Sequence, residues 1–433
     1  MTTDRHAADR GARDWWPERN TVLALCVLAF FSTMVARLVV SPVVPAVRGE
    51  FGVTDGAVGL ALTGMWIAYA LTHYPSGILG DRFGERRVVL GAVGLTAVGG
   101  VVLAAAPTFP VFGLVAVVLG AAAGLYYPSG ASLLSKRFTN VGQAMGFHIA
   151  GASLAGLVTP VAVSLVAARS GWRVAMLLAP AIAVPVWLLF AWRVRPAPSG
   201  DGNDADGEPD GTADADADGT ANEAEQRADG ESDTGSASSR GSLRGVVGTL
   251  TRPVMAYTVV LASIQTFVFS STLSFLPTFF RSYHETGTVR ASLLFSLFFV
   301  TMGVAQPTVG RVSDRIGRDV TAALAFGVAA VGYGVLVAGG PTGLLAGGVV
   351  LAGLGLSSVV PLESKFMDNI ARGDRGTDFG TVRMTYVLLG ASGSAVTGNV
   401  ADAFGWGAAA GLFVVVLGAA AVAIALNRLG PGL

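Results

Sequence analysis

The stretch GILGDRFGER at residues 77–86 returns in a reduced form as GRVSDRIGR at residues 310–318. Both follow the pattern G-x-x-x-D-R-hydrophobic-G, and the second copy begins 233 residues after the first. Pro45 and Pro277 are separated by nearly the same interval, 232 residues. Two landmarks that keep one register predict an internal repeat, in which a single structural unit occurs twice along the chain.

The chain around the repeat is too apolar for a water-soluble protein. Hydrophobic residues make up 52% of its 433 residues, charged residues only 13%, and the mean hydropathy is +0.59. A soluble domain carries about a quarter charged residues, whereas a helix of roughly 20 apolar residues crosses a membrane. The composition predicts an all-α membrane protein with twelve such spans, six and six: 22–46, 57–80, 87–106, 109–134, 141–167, 173–194, 253–280, 290–311, 319–339, 342–363, 380–401 and 405–427.

An acidic segment separates the two sets of six spans. Thirteen of the 29 acidic residues lie between Asp201 and Asp233, where apolar residues are scarce. Such a composition cannot bury enough surface to fold alone, so it predicts a disordered linker. The expected domains are an N-terminal segment, a first six-helix bundle, the linker, a second six-helix bundle and a short tail: 1–21, 22–194, 195–250, 251–428 and 429–433.

Basic residues in the short loops predict the orientation of the chain. With a cytoplasmic N-terminus, thirteen basic residues fall in or beside the inner loops and five on the opposite side. Cytoplasmic loops carry the excess of Lys and Arg. Both termini and the linker are therefore expected in the cytoplasm, with the protein in the plasma membrane.

The repeated loop and the six-plus-six arrangement resemble the major facilitator superfamily. The loop at residues 77–86 is similar to the signature between helices 2 and 3 of that family, and the copy at 310–318 is similar to its weaker echo between helices 8 and 9. The resemblance is general within the superfamily and is closest to its organic-anion and metabolite branches. It implies two pseudo-symmetric six-helix bundles, transport by alternating access, and no enzymatic activity.

The signature loop can also be interpreted physically. Gly77 permits close helix contact, Gly84 permits a sharp turn, and Asp81 ends its helix where an acid can face the positive N-terminus of another. By the resemblance, the loop locks the two halves in the outward-facing state, with Asp81 near Asp378 and Gly380. The predicted switch residues are Gly77, Asp81, Arg82, Gly84, Arg86, Gly310, Asp314, Arg315 and Gly317.

Arg37 is the leading candidate for substrate binding. It lies about fifteen residues into the first span, among Val, Ala and Leu, and precedes Pro42 and Pro45. Ionisable residues inside a membrane are costly and mark functional sites, and a guanidinium recognises carboxylate or phosphate with a planar fork. No Asp or Glu is expected near mid-depth, since Glu363 and Asp402 are placed at helix ends. A bound anion is therefore the predicted partner, and a structural role for Arg37 is the alternative.

Other polar residues are weaker candidates. The second Arg that the phosphate-ester exchangers of the family place in the seventh span is missing here, and the span offers only Gln265 and hydroxyl groups; this departure favours monoanions or zwitterions over sugar phosphates. His148 and His73 are candidates for a coupling proton or for hydrogen-bonded core positions, and His148 also for substrate binding. Tyr69 and Tyr126 are candidate cavity residues. Arg383, near the end of its span, is expected at the membrane boundary.

The sequence favours a secondary transporter of a small anionic or amphoteric metabolite. A drug efflux antiporter is the alternative, although the fourth span lacks the Arg and the fifth the Gly-Pro pair of such exporters. A membrane sensor and a membrane-embedded enzyme are further alternatives, but the chain has no HExxH, G-x-S-x-G or phosphate-binding motif. No cofactor, metal site or catalytic residue is predicted. The expected partners of the monomer are a small-molecule substrate, a coupling proton or other ion, and the lipid bilayer, with no nucleic acid.

Overall fold

The computed structural model describes residues 18–138, 141–194, 252–369 and 375–429, which are helical nearly throughout. The predicted linker and most of the two predicted terminal segments lie outside these residues. Within the described ranges, nine helical stretches are long and apolar enough to cross a membrane. The protein is a multi-pass membrane protein, as its composition predicts.

The first half of the chain contributes six membrane crossings. The first crossing is α1, a short 3-10 turn and α2, bent where Pro42 and Pro45 interrupt the helix. Gly171, with φ of 83°, breaks α6 and separates the fifth crossing from the sixth. The elements are α1 (Glu18–Leu38), the 3-10 turn (Ser41–Val43), α2 (Val44–Phe51), α3 (Asp55–Phe83), α4 (Glu85–Ala104), α5 (Phe109–Ser135), α6 (Val141–Met176) and α7 (Leu178–Arg193).

The second half repeats this plan with two of its crossings interrupted. The tenth crossing is α11 followed by α12, and the eleventh is α13 followed by α14, so neither is a single straight helix. The elements are α8 (Pro253–Tyr283), α9 (Thr288–Ile316), α10 (Arg318–Ala338), α11 (Thr342–Leu356), α12 (Val359–Asn369), α13 (Arg375–Gly390), α14 (Gly393–Phe404) and α15 (Trp406–Leu429).

The two copies of the signature loop adopt the same backbone. Gly84 has φ of 83° and its N–H donates to the Gly80 carbonyl at 2.8 Å; Gly317 has φ of 95° and donates to the Ser313 carbonyl at 3.0 Å. Residues that carry a side chain rarely adopt backbone angles in this left-handed region, so glycine is the residue that lets two helices meet at so short a turn. The internal repeat is therefore a repeat of structure as well as of sequence.

The two halves meet at the end of the molecule opposite these loops, here called the distal end; the end with the loops is the loop end. At the distal end, both carboxylate oxygens of Asp402 in α14 accept backbone N–H groups of the first turn of α3, from Asp55 at 3.0 Å and from Gly56 at 2.7 Å. Deeper in, Thr63 donates to the Ala391 carbonyl at 3.1 Å and accepts from the Ala395 N–H at 2.9 Å. The distal end is thus closed by hydrogen bonds between the halves.

Small residues make this closure tight. A Cβ atom added at Gly59 of α3 would lie 2.3 Å from the carbonyl oxygen of Ser394. One added at Gly398 of α14 would lie 2.4 Å from the Asp55 carbonyl oxygen. The helices α3 and α14 therefore pack backbone to backbone, as small residues permit in membranes.

Candidate functional site

A cavity of about 550 Å³ lies between the halves at the loop end. Its walls come from α3, α5 and α13, and they carry His73, Asp81, Tyr127 and Arg383. A volume in this range suits a small molecule. The cavity joins both halves and is closed off from the distal end, so it is the central candidate site.

Arg37 lies just beyond this cavity and has no carboxylate partner among the residues the structure describes. It is 9% exposed, and its guanidinium faces the rings of Tyr69 and Trp66, 4.4 Å and 5.1 Å from their centroids. Nη2 donates to the Met34 sulfur at 2.7 Å, while Nε and Nη1 have no hydrogen-bond partner in the described part of the chain. Thioether sulfur is a weak acceptor, so the charge is not neutralised.

The space around the guanidinium is small in this conformation. The pocket beside Arg37 measures about 10 Å³ and is closed by Trp66 and Met65 of α3 and by Ser274 of α8. That volume holds about one water molecule. A substrate anion can therefore reach Arg37 only if the aromatic side chains move.

Tyr69 and His73 connect Arg37 with the cavity. The Tyr69 ring stacks edge-on against His73 at 4.5 Å, one helical turn further along α3. His73 donates Nδ1–H to the Tyr69 carbonyl at 2.6 Å, because a carbonyl can only accept. This bond leaves Nε2 without a partner. The structure thus brings three predicted site residues, Arg37, Tyr69 and His73, into one row that ends in the cavity.

Tyr126 and His148 form a separate buried pair in the first half. The Tyr126 hydroxyl donates to the Cys26 carbonyl and therefore accepts from His148 Nε2–H, at 3.0 Å. His148 is 0% exposed and packs against Phe30 at 4.7 Å. Tyr127 joins this pair to the cavity, since its ring lies 5.9 Å from His148 and 6.1 Å from His73.

Gln265 does not share the Arg37 pocket. It is buried in the second half, where Nε2 donates to the Leu356 carbonyl at 3.3 Å and Oε1 accepts from Thr266 at 3.4 Å. Gln265 is not among the residues that line the Arg37 pocket. The two candidate residues therefore do not share a pocket in this conformation.

Arg383 and Glu363 form a contact that the sequence did not predict. Arg383 lies in the cavity wall: its guanidinium is 4.9 Å from the Tyr127 centroid, and Nη1 is 3.5 Å from Glu363 Oε1. Glu363 also accepts a hydrogen bond from the Tyr386 hydroxyl at 2.8 Å. Since α12 continues to Asn369, Glu363 lies about 9 Å inside the helix end. Glu363 is therefore within its helix and not at the end where the sequence placed it.

No sequence spacing indicates this pair. Glu363 and Arg383 are on different helices, joined by a segment whose length does not fix their relative height. The one available signal was the occurrence of both an acid and a base within predicted spans. Tyr127, which links them to His73, was indistinguishable from a packing residue.

The switch loops are held differently in the two halves. Asp81 lines the mouth of the cavity on one wall and Gly380 lines it on another; the Asp378 side chain lies outside the described residues. Arg86 Nη2 donates to the Ala191 carbonyl at 2.7 Å, so it binds the C-terminal end of α7. In the second half, Asp314 pairs with Arg318, which also bonds Asp368 at 3.1 Å.

Glu85 ties the first switch loop to α5. Its carboxylate accepts from Ser132 at 3.0 Å and from the Lys136 ammonium. These bonds fix the first turn of α4 to the C-terminal end of α5.

Two helical halves around a shared cavity are the architecture of a membrane transporter. The chain belongs to the Major Facilitator Superfamily, whose sequence profile matches residues 25–292 and 285–431. This is a family of transporters, not of enzymes. The fold agrees: a bacterial homologue of the human lysosomal transporter Spinster, solved in an inward-facing, unoccupied conformation, superposes with a TM-score of 0.75 at 14% identity, covering 95% of this chain and 97% of that one.

Two curated relatives are similar over part of the chain. A probable sulfoacetate transporter of Cupriavidus necator is 26% identical over 186 residues, 42% of each chain. The membrane sensor protein UhpC of Salmonella typhimurium is 26% identical over 206 residues, 47% of this chain and 46% of the relative. The matched part thus spans less than half the length of these relatives.

Proposed function

We propose that this protein is a secondary transporter that carries a small organic anion across the cell membrane by alternating access, with Arg37 as the group that binds the anion. The observation that carries the proposal is the buried guanidinium of Arg37, whose Nε and Nη1 atoms have no partner. A charge without a counter-ion costs several kcal/mol in such an environment. An anionic substrate removes that cost each time it binds.

The surroundings of Arg37 suit an anion that comes and goes. The faces of Tyr69 and Trp66 hold the guanidinium in place by cation–π contact without neutralising it. Its free donors form part of a planar fork that matches a carboxylate or sulfonate. The cavity that leads towards it has room for a small molecule.

Alternating access follows from the asymmetry between the two ends. The distal end is closed by the bonds of Asp402 and Thr63, whereas the loop end contains the cavity. We place the loop end, both termini and the linker in the cytoplasm because the basic residues cluster there. This conformation is then inward-facing, and transport requires the distal contacts to separate while Asp81 and the start of α13 approach.

The relatives support the anionic class of substrate. One of them is described as a probable sulfoacetate transporter. Sulfoacetate carries two negative groups. Such a substrate would give Arg37 the partner that the chain does not supply. An apolar drug would leave the guanidinium unpaired, so efflux of apolar compounds is the weaker proposal.

A sensing role is the second candidate. It is favoured by the similarity to the membrane sensor protein UhpC over 47% of the chain. A sensor of this kind would bind the anion through the same Arg37 without moving it across the membrane. Binding without flux would therefore separate the two.

The test is anion flux into vesicles that contain the full-length purified protein. Wild-type protein should take up labelled sulfoacetate, Arg37→Lys should slow uptake because a point charge replaces a fork, and Arg37→Gln should abolish it. Arg169→Gln is the matched control, since Arg169 is exposed near the distal end of α6. Normal uptake by Arg37→Gln would refute the role of Arg37, and binding without uptake would favour the sensor.

A further inference from the structure

We infer that Arg383 is a second anion-binding subsite, which Glu363 blocks when ionised and exposes when protonated, so that the ligand is a short organic anion with two negative groups and binds together with one proton. This inference rests on the proposed function and extends it to the class of substrate and the site of coupling. It assigns a role to two residues that the first-half site does not use.

Arg383 lines the cavity and has one donor without a partner among the described residues. Its one ion pair among the described residues is the single 3.5 Å approach of Nη1 to Glu363, and its Nε has no partner. A strong guanidinium–carboxylate pair uses two parallel bonds of about 2.8 Å. The Glu363 contact is therefore loose enough to be exchanged for a substrate group.

Arg37 and Arg383 flank the same group of aromatic rings and are close enough for their charges to repel each other. Tyr69 is 4.4 Å from Arg37, His73 is 4.5 Å from Tyr69, and Tyr127 lies 6.1 Å from His73 and 4.9 Å from Arg383. Arg37 belongs to the first half and Arg383 to the second. A ligand with a negative group at each end would therefore bind both halves.

The balance of charge fixes the state of Glu363. Arg37 and Arg383 against Glu363 leave one positive charge uncompensated in the interior. An anion with one charge balances it while Glu363 remains ionised. An anion with two charges balances the site only when Glu363 is protonated, because an ionised Glu363 would leave a surplus negative charge next to the ligand.

Other charged groups near Glu363 are already paired or lie elsewhere. On α13 it faces Arg383 and Tyr386, and across the cavity Tyr127 of α5. On α12 itself, Lys365 bonds Asp319 of α10 at 2.6 Å and lies over Tyr257 of α8, and Asp368 bonds Arg318. Where α9 meets α12, Gly310 faces Val360, and Asp314 is paired with Arg318. Arg383 and the Tyr386 hydroxyl, which donates to the carboxylate at 2.8 Å, are the described groups that oppose protonation of Glu363 directly.

The two histidines are less suited to carry this proton. Protonation of His73 would place a third positive charge beside Arg37 and Arg383, which act on it by repulsion. His148 is fully buried and already donates Nε2–H to Tyr126. Glu363 instead becomes neutral on protonation, which releases Arg383 from its ion pair.

The proton step is simple and balanced. A proton from water in the cavity adds to a carboxylate oxygen of Glu363 and the contact with Arg383 breaks. The second negative group of the ligand then takes the place of Glu363 on the guanidinium. Release on the other side reverses these steps, so one proton crosses with each dianion and the net charge moved is one negative unit.

The experiment is calorimetric titration of the full-length protein with malonate and sulfoacetate, which have two negative groups, and with methanesulfonate, which has one. Buffers of different ionisation heat report proton uptake. Wild-type protein should take up one proton per malonate or sulfoacetate and none per methanesulfonate. Because one proton is taken up with each dianion, the Kd of wild-type protein for malonate and sulfoacetate should rise about tenfold per pH unit.

Two variants separate the roles. Arg383→Gln should bind malonate and sulfoacetate only as weakly as methanesulfonate, with methanesulfonate affinity kept. Glu363→Gln should bind malonate and sulfoacetate with no proton uptake and no pH dependence. Retained methanesulfonate binding through Arg37 shows that each variant is folded, and Arg169→Gln and Glu285→Gln, both at exposed positions, are matched controls.

The outcomes distinguish this inference from the proposed function. If Glu363→Gln still takes up a proton, or if Arg383→Gln weakens all three anions equally, the second subsite is refuted while the role of Arg37 stands. If Arg37→Gln binds all three anions normally, or wild-type protein binds none, the anion assignment fails and the second subsite fails with it.

Discussion

At the scale of the residue, the role proposed for Arg37 in anion binding would oppose the stability of the protein. Arg37 is a buried cation that contacts two aromatic faces and a sulfur atom. Replacing buried charges by apolar groups of similar volume is often stabilising, by about 1–4 kcal/mol for ion pairs. On this proposal, a bound anion offsets the cost of burying the charge.

This cost predicts the effect of Arg37→Met on stability. The variant should unfold at a higher temperature than wild type in the absence of ligand, because it removes a buried charge and fills the same space. It should also lose anion binding. The measurement is thermal unfolding in detergent, with Arg169→Met as the exposed control; a lower unfolding temperature for Arg37→Met alone would mean that Arg37 is a structural residue.

At the same scale, the charge of Arg37 could be singled out from the sequence, but its contacts could not. A basic residue in an apolar span is a rare signal with few interpretations. Tyr69 and Trp66 belong to another helix, and aromatic residues are common in any core. The sequence therefore indicated the charged group and named Tyr69 as a cavity candidate, but it gave no sign that Tyr69 and Trp66 pack against Arg37.

At the scale of the element, the two switch loops share a backbone but differ in their side-chain contacts. Asp81 lines the cavity mouth, where it can meet the start of α13 when the halves rock. Asp314 forms an i, i+4 pair with Arg318, and its side chain is 66% exposed. Exposed pairs of this kind contribute about 0.2–1 kcal/mol to stability. Loss of the Asp314–Arg318 pair should therefore have little effect.

We therefore expect Asp81→Asn to impair anion flux much more than Asp314→Asn. The effect should appear as a changed ratio of inward- and outward-facing protein, with normal expression. Flux measurements together with accessibility of single cysteines at the two ends test this, after Cys26, the sole native cysteine, is replaced. Equal and negligible effects would mean that the first loop serves only as a turn.

The pair of helices α3 and α14 makes a second prediction. Gly59→Leu cannot be accommodated while the distal end is closed, because the first added atom would already overlap the Ser394 carbonyl. The variant should be trapped with its distal end open and should lose flux. Gly91→Leu is the matched control, since a Cβ there meets no atom within 4 Å. Distance measurements between spin labels across the distal end would detect the trapped state. A distribution of distances equal to that of wild type would contradict the prediction.

At the scale of the whole molecule, the acidic segment joins two halves that are expected to fold without it. Deletion of residues 201–233 should leave insertion and anion flux near the wild-type level, because the remaining linker residues still allow the halves to pack. The measurements are size-exclusion chromatography and vesicle uptake. Loss of monodisperse protein on deletion, but not on replacement of the segment by a Gly-Ser chain of equal length, would show that the length of the linker matters and its composition does not.

The fold was readable from the sequence because hydrophobic runs and a repeated loop are local signals. The site was only partly readable. The apolar run of the tenth span ends at Glu363, but the helix continues to Asn369 with an amphipathic turn. The acid therefore lies within the helix and not at its end. Contact between Glu363 and Arg383 depends on how α12 and α13 pack, and no single-helix pattern encodes that packing.

The closure of the distal end has a consequence for how the halves can diverge. Asp402 and Thr63 bond to main-chain N–H and carbonyl groups of the opposite half, and Ser41 likewise donates to the Ser274 carbonyl at 3.0 Å. Main-chain groups are present whatever side chain a position carries. The side chains of Ala391, Ala395 and Ser274 are therefore not needed for these bonds, and the closure constrains those positions less than pairs of side chains would.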